Sequence, residues 1–456
     1  MKRIFSALFA VLLLILSVFP AATASFADIT DTAEEIPDEV SHAKSVYLYN
    51  IDSSTLLYEK NSGAQVDPSS TARMMLAIIV IEKYDNLDIT LTVSSAAFKK
   101  ARLTDCNKMG LVSGEMITAR SLLYGLIMFG AHDAAYALAE NAFGSSKKAV
   151  TEMNKKAEEL GMRSTRYVNI TGEKDDGGGF TCASDVALLA VYAFSNPIFT
   201  DIARQTYVNV ARLGRSGLHT IYTQNYLQSK RTLTDYYDPC VTGMNAAGID
   251  HVDRTRSGYC CVATAEIENL NYLCVVMDAE NKAEDGSAHY FAFTIPSKLF
   301  EWAKKNFAFR DVLSSNIIFG EIKVSLATDS DYVSVVPSRK LEAFLPRTQD
   351  IDELVNTEVT MYYEELQAPV EEGMVVGKVV VSMSDTVVCE ADLVTKNSLN
   401  LSKWQANRAM FTKLAKTKRF KWICAAVIAA AVIAVLLTAR IKYVRKNRIS
   451  VHVREK

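Results

Sequence analysis

The stretch that most confines this chain lies near its end. Trp422 to Ala439 runs 18 residues without a charged side chain, just long enough as a helix to cross a hydrocarbon core of about 30 Å. Trp422 stands where an interfacial anchor belongs, and Arg440, Lys442, Arg445, Lys446 and Arg448 follow at once. Residues 422–439 are read as a transmembrane helix and 440–456 as a basic cytoplasmic tail. The alternative, a buried helix of a soluble domain, sits badly with basic flanks on both sides.

Lys413, Lys416, Lys418, Arg419 and Lys421 precede the span, so charge alone leaves the orientation open. The other end of the chain decides it. Met1, Lys2 and Arg3 are followed by an apolar run from Ile4 to Phe19, then by Pro20 and small residues. Ala22-Thr23-Ala24 and Ser25-Phe26-Ala27 both fit the small-x-small cleavage rule, so residues 1–27 read as a secretory signal peptide; an uncleaved anchor is the alternative. Export then leaves the body of the chain outside a cell membrane crossed once.

At 456 residues the chain exceeds one ordinary domain. Its 49% hydrophobic and 22% charged residues are those of folded protein, and a net charge of −2 gives no reason to expect a nucleic-acid partner. The eight cysteines show no CxxC and no disulfide framework, and the six histidines show no metal-ligand spacing. Cys260 and Cys261 are adjacent in a strand-like run and so point to opposite faces, as small core residues. Neither a metal nor a cofactor is expected.

Pattern divides the rest. "SVYLYNIDSSTLLYEKN" reads as a hairpin around Ser-Ser. "VDPSSTARMMLAI" then reads as a helix start, with a proline and small hydroxyl residues before an apolar run that reaches Tyr84. "SLLYGLIMFGAHDAAYALAENAF" and "AVTEMNKKAEEL" are two helices, the second ended by Gly161. "YCCVATAEIENLNYLCVVMDA" is a hairpin broken at Asn269–Asn271, and "SKLFEWAKKNF" is helical. Strands, a helical block and further strands imply an α/β or α+β layered domain over 40–305. From 306 to 397 period-two alternation takes over, as in Ile322-Val324-Leu326 and Val355-Thr357-Val359-Met361, which implies a small all-β domain. Residues 398–421 form a polar, basic, helical stalk.

These segments, in this order, resemble the serine-type D-Ala-D-Ala carboxypeptidases, the low-molecular-mass penicillin-binding proteins. "YLYNIDSSTLLYEKN", "PSSTARMM", "LLYGLIMFGAHDAAYALAE", "MNKKAEELGMRSTRYVNITG" and "DPCVTG" carry the likeness, and "APVEEGMVVGKVVV" resembles the family's C-terminal stalk domain. The likeness covers roughly residues 43–395. It implies a penicillin-binding-protein/β-lactamase-like transpeptidase fold and a role in peptidoglycan metabolism, with stem peptides as ligands; protein partners are left unspecified.

The resemblance also implies three motifs converging on one cleft: Ser-x-x-Lys, Ser-x-Asn and Lys-Thr-Gly. The matching positions here read Ser70-Thr71-Ala72-Arg73, Gly130-Ala131-His132 and Val241-Thr242-Gly243. A serine hydroxyl is a poor nucleophile without a base. Making lysine neutral at pH 7 costs about 5 kcal/mol from its ordinary pKa, and arginine about 7–9 kcal/mol. Arg73 is not a base. Gly130 lacks the hydroxyl that would relay a proton to the leaving group, and Val241 lacks the cation that would hold a substrate carboxylate.

Two readings of these positions follow. In one, the chain is a catalytically impaired homologue that keeps the fold as a binding or regulatory module, with Ser70 surviving as a helix N-cap and His132 as a neutral filler. In the other, Ser70 remains an acyl nucleophile and His132 has become its base, a chemically sensible dyad, although no orienting carboxylate is recognisable in the sequence. A third leaves the function to the β domain and stalk, as a spacer that presents a partner-binding face.

Overall fold

The computed structural model describes residues 35–103, 106–173, 178–211, 218–231, 233–246, 258–383 and 386–452. The expected signal peptide, residues 1–27, lies outside the described residues. The chain divides into two compact units. The first runs to Arg310 and takes back Ala343–Leu354 and Met383–Thr386; the second holds Asp311–Glu342, Val355–Ser382 and Val387–Lys456.

The first unit is built on a five-stranded antiparallel sheet. Its strands are β1 (Ala43–Asn50), β2 (Thr55–Lys60), β3 (Val241–Ala246), β4 (Tyr259–Ile267) and β5 (Leu270–Ala279), in the spatial order β2-β1-β5-β4-β3. The β4–β5 hairpin is made by its apolar runs, and its turn falls at Glu268 and Asn269, both with positive φ, the geometry that matches the twist of paired strands. Both strands are buried along most of their length, so the sheet is covered on two faces. Alternation sends Cys260, Val262, Leu273, Val275 and Met277 into the main helical core, and turns Cys261, Ala263, Cys274 and Val276 the other way. Cys260 and Cys261 are both buried, as expected of core residues.

The helices that carry the site are α1 (Thr71–Lys83), α2 (Ala119–Met128), α3 (His132–Phe143) and α4 (Ser146–Glu159). From Thr71 to Ile81 every residue of α1 is buried. That follows from an apolar sequence with a single interior charge, Arg73, since a helix apolar all round must be covered all round. The stretch 121–160 forms three helices, where pattern alone gave two. The reason is local: Gly130 takes φ +69 and Gly144 takes φ +82, each ending a helix in a left-handed conformation that glycine adopts without strain.

The second unit contains a six-stranded sheet, in the order Asn356–Met361, Val375–Met383, Thr386–Thr395, Tyr332–Pro337, Gly320–Ser325, Glu365–Gln367. Ile322, Val324, Val335, Val379, Val381 and Leu393 fill its core. Strand Asn356–Met361 departs from the expected pattern: it alternates like a half-buried strand, yet it is an edge strand with Val359 41% exposed. Beyond the sheet, α5 (Lys403–Lys416) is followed by α6 (Lys418–His452). Lys418–Arg445 within α6 is long and apolar enough to cross a membrane.

Candidate active site

Pro68, Ser69 and Ser70 turn the chain into α1. Ser69 takes a left-handed φ of +46, and Ser70 stands at the N-cap position with helical dihedrals. From that backbone its hydroxyl makes no capping bond to the helix, so Ser70 occupies the cap position without doing a cap's work. The residue is 2% exposed. One turn along, Arg73 is buried as well, at 3%.

Burying a guanidinium requires partners, and the neighbouring elements supply them. Arg73 Nη1 donates to Thr171 O at 3.0 Å and lies 3.2 Å from His132 Nε2. His132, wholly buried at the start of α3, turns its other nitrogen to Glu173, with Nδ1 to Oε1 at 3.4 Å. Arginine has only donors. Nε2 is therefore the acceptor, and the ring proton sits on Nδ1, facing the carboxylate. A cation and an anion are thus joined through one imidazole, which offsets the cost of burying either alone. Burial works to raise the Glu173 pKa, but its interaction with the His132 ring, together with hydrogen bonds from Cys106 and Thr171, outweighs it and holds the carboxyl below its ordinary range.

Gly130 belongs to the same arrangement. A Cβ built on it would lie 3.2, 3.4 and 3.5 Å from Arg73 Nη2, Nε and Cζ. The guanidinium occupies the room that a side chain at 130 would need. The segment after Tyr167 closes the other side. Asn169 accepts from the Gly172 and Thr171 N–H groups and donates to Glu173 O, fixing a tight turn. That turn lies against Ser69: a Cβ on Gly172 would fall 1.6 Å from Ser69 O. Cys106 donates to Glu173 Oε1 at 3.2 Å. Its neighbours are fastened by Asp133, which accepts from the N–H groups of Met109 and Leu111.

Ser70, Arg73, Gly130 and His132 are therefore brought together directly. Val241, Thr242 and Gly243 reach them through β4. They lie on edge strand β3, with Thr242 Oγ1 2.9 Å from Thr264 Oγ1 and the Gly243 backbone close against Ala203 O. At the start of β4, Cys260 lies beside Ser69. Val241 pairs with Ala265 and Gly243 with Thr264, four to five residues along β4 from Cys260, or roughly 13–17 Å at strand rise.

Residue types and spacing missed Glu173, the carboxylate that the sequence left without a candidate, and Cys106. Sequence separations of 26 and 41 residues from His132 carry no local signature. The turn they depend on was visible only as Asn-x-Thr-Gly at 169–172. As a base, His132 is compromised: the lone pair that would accept a serine proton from Nε2 is already engaged by Arg73.

Residues 30–281 match the peptidase S11 family, D-alanyl-D-alanine carboxypeptidase, and residues 307–400 match the C-terminal domain of penicillin-binding protein 5. The chain belongs to the D-alanyl-D-alanine carboxypeptidase family. Among its relatives, the carboxypeptidase DacF of Bacillus subtilis is 24% identical over 365 residues, covering 79% of this chain and 87% of that protein. DacD of Escherichia coli is 25% identical over 382 residues, 80% of this chain and 88% of its own. Penicillin-binding protein 5 from Haemophilus influenzae has a similar structure, with a TM-score of 0.55 at 23% identity over 81% of this chain and 99% of that one. Penicillin-binding protein 6B from Escherichia coli gives 0.57 at 21% identity, over 80% and 98%. These structures share the fold, including the C-terminal all-β domain.

Proposed function

We propose that this chain is an exported, membrane-anchored member of the family that has lost acyl-transfer chemistry and serves peptidoglycan metabolism as a binding or regulatory module for stem peptides. One observation carries the loss of chemistry: where the family places a lysine base, Arg73 is buried and spans from Thr171 O to His132 Nε2. A residue so held neither takes the Ser70 proton nor leaves His132 free to do so. Backbone donors that stabilise a tetrahedral intermediate do not generate a nucleophile. The apolar helix Lys418–Arg445 supports the anchoring.

The test is covalent labelling of the full chain with a fluorescent penicillin, beside release of D-alanine from a D-Ala-D-Ala peptide. The natural sequence is expected to give neither. The quadruple reversion Arg73→Lys, Gly130→Ser, His132→Asn and Val241→Lys is expected to label at Ser70. Labelling of the natural sequence, abolished by His132→Ala, would establish the dyad instead. Retention of unmodified stem peptides on the natural protein, without turnover, is the expected sign of the binding role.

A further inference from the structure

We infer that Cys106, His132 and Glu173 form a binding site for a zinc-like divalent transition metal beside the disabled serine centre. Cys106 Sγ, His132 Nδ1 and a Glu173 carboxylate oxygen all lie within 4.8 Å of one another. Two of the separations are 3.2 Å (thiol to carboxylate) and 3.4 Å (imidazole to carboxylate). With metal–ligand bonds of about 2.0–2.3 Å, a tetrahedral zinc ion sets its ligand atoms about 3.3–3.7 Å apart. Closing Cys106 toward His132 therefore completes three corners with small side-chain movements.

One thiolate, one imidazole and one carboxylate suit a borderline-soft metal rather than calcium or magnesium, which take oxygen ligands. Three protein ligands leave the fourth position to water. His132 is wholly buried, whereas Cys106 and Glu173 are partly exposed. The ion thus has an approach from solvent on the side of these two ligands. The site does not depend on the state of Ser70, and it stands or falls apart from the loss of acyl transfer.

Arg73 is the counterweight. Ligation through Nδ1 moves the ring proton to Nε2, where it meets the donor Nη1 of Arg73. Arg73 keeps Thr171 O, which the same nitrogen already reaches at 3.0 Å, so the ion costs one hydrogen bond and the nearness of a like charge. The thiol proton of Cys106 leaves to solvent as the metal binds. A glutamine at 73, which can accept from Nε2–H, removes both penalties, and partners of this outer kind change metal affinity about 10–100-fold.

The experiment is titration of the full chain, in detergent and stripped with chelator, with Zn2+ by calorimetry and with Co2+ by absorption. Expected are one equivalent bound and a sulfur-to-cobalt charge-transfer band. Cys106→Ser should lose the band and weaken binding at least tenfold, Glu173→Gln should weaken it, and Arg73→Gln should strengthen it about tenfold. The last change runs opposite to anything misfolding produces. No saturable binding at one equivalent would overturn the site, as would a thiolate band that survives Cys106→Ser or an Arg73→Gln protein that binds more weakly than the natural one.

Discussion

Arg73 and Gly130, where the resemblance implies a lysine and a serine, are made into one feature by physical contact. The guanidinium fills the space over residue 130, and the backbone there is left-handed. Gly130→Ser alone should therefore lower stability by about 1–3 kcal/mol, part from the strained φ and part from the displaced guanidinium. In an Arg73→Lys background only the first part remains. A double-mutant cycle on thermal unfolding of the full chain should show a coupling of at least ~0.5 kcal/mol; additive effects would mean that the two positions changed independently. Gly172 is a stricter case, because the clash there is with backbone. Gly172→Ala should cost about 2–4 kcal/mol, and it should open the turn at 169–173 to protease before the rest of the unit unfolds. A protease-resistant variant of unchanged stability would remove the turn's assigned role over Ser69.

Hairpin β4–β5 shows how an element decides the chemistry of its side chains. Cys260, Cys261 and Cys274 are unbridged and fully or nearly fully buried in it. Burial pushes the Cys260 thiol up to about 11 and raises Cys261 and Cys274 further, since a thiolate loses its hydration there. Reactivity requires the thiolate. At pH 8 an alkylating reagent should leave these three unmodified in the folded protein and label all three in denaturant, as mass mapping would report. Raising the pH within the folded range should not bring out Cys261 or Cys274. Modification of either under native conditions would mean that the central strands open readily.

At the scale of the whole chain, the unbroken run without an acid between Asp392 and Glu455 matters most. It takes in α5 and α6, with basic residues on both sides of the apolar stretch. Full-length protein should sediment with membranes and resist extraction by salt, because burial of an apolar helix is not an ionic attachment. A chain ending at Thr417 should be released. With the cell wall removed, protease added outside should digest the body and spare an epitope on residues 440–456; loss of that epitope from intact cells would reverse the topology. Salt extraction of the intact chain would reduce α6 to a surface helix.

What the sequence determined by itself was whatever depends on neighbours along the chain. The apolar run 422–439, the periodicity of α1, the β4–β5 hairpin and the alternation of the second unit are all local, and local pattern sets which face of an element is apolar. Order of segments did the rest: collinearity with the carboxypeptidases placed Ser70, Arg73, Gly130 and His132 as one site before any contact was visible. Tertiary structure decided what those residues do. Only packing could show that the guanidinium of Arg73 sits over Gly130, that His132 is oriented by Glu173, and that Cys106 comes to the same point. These contacts join residues 26 to 67 positions apart, and no rule of spacing reads across such distances. The same holds for Ser70: its sequence context is that of a helix cap, but the backbone dihedrals, set by the turn at Ser69 and the chain lying on it, give it the position without the bond.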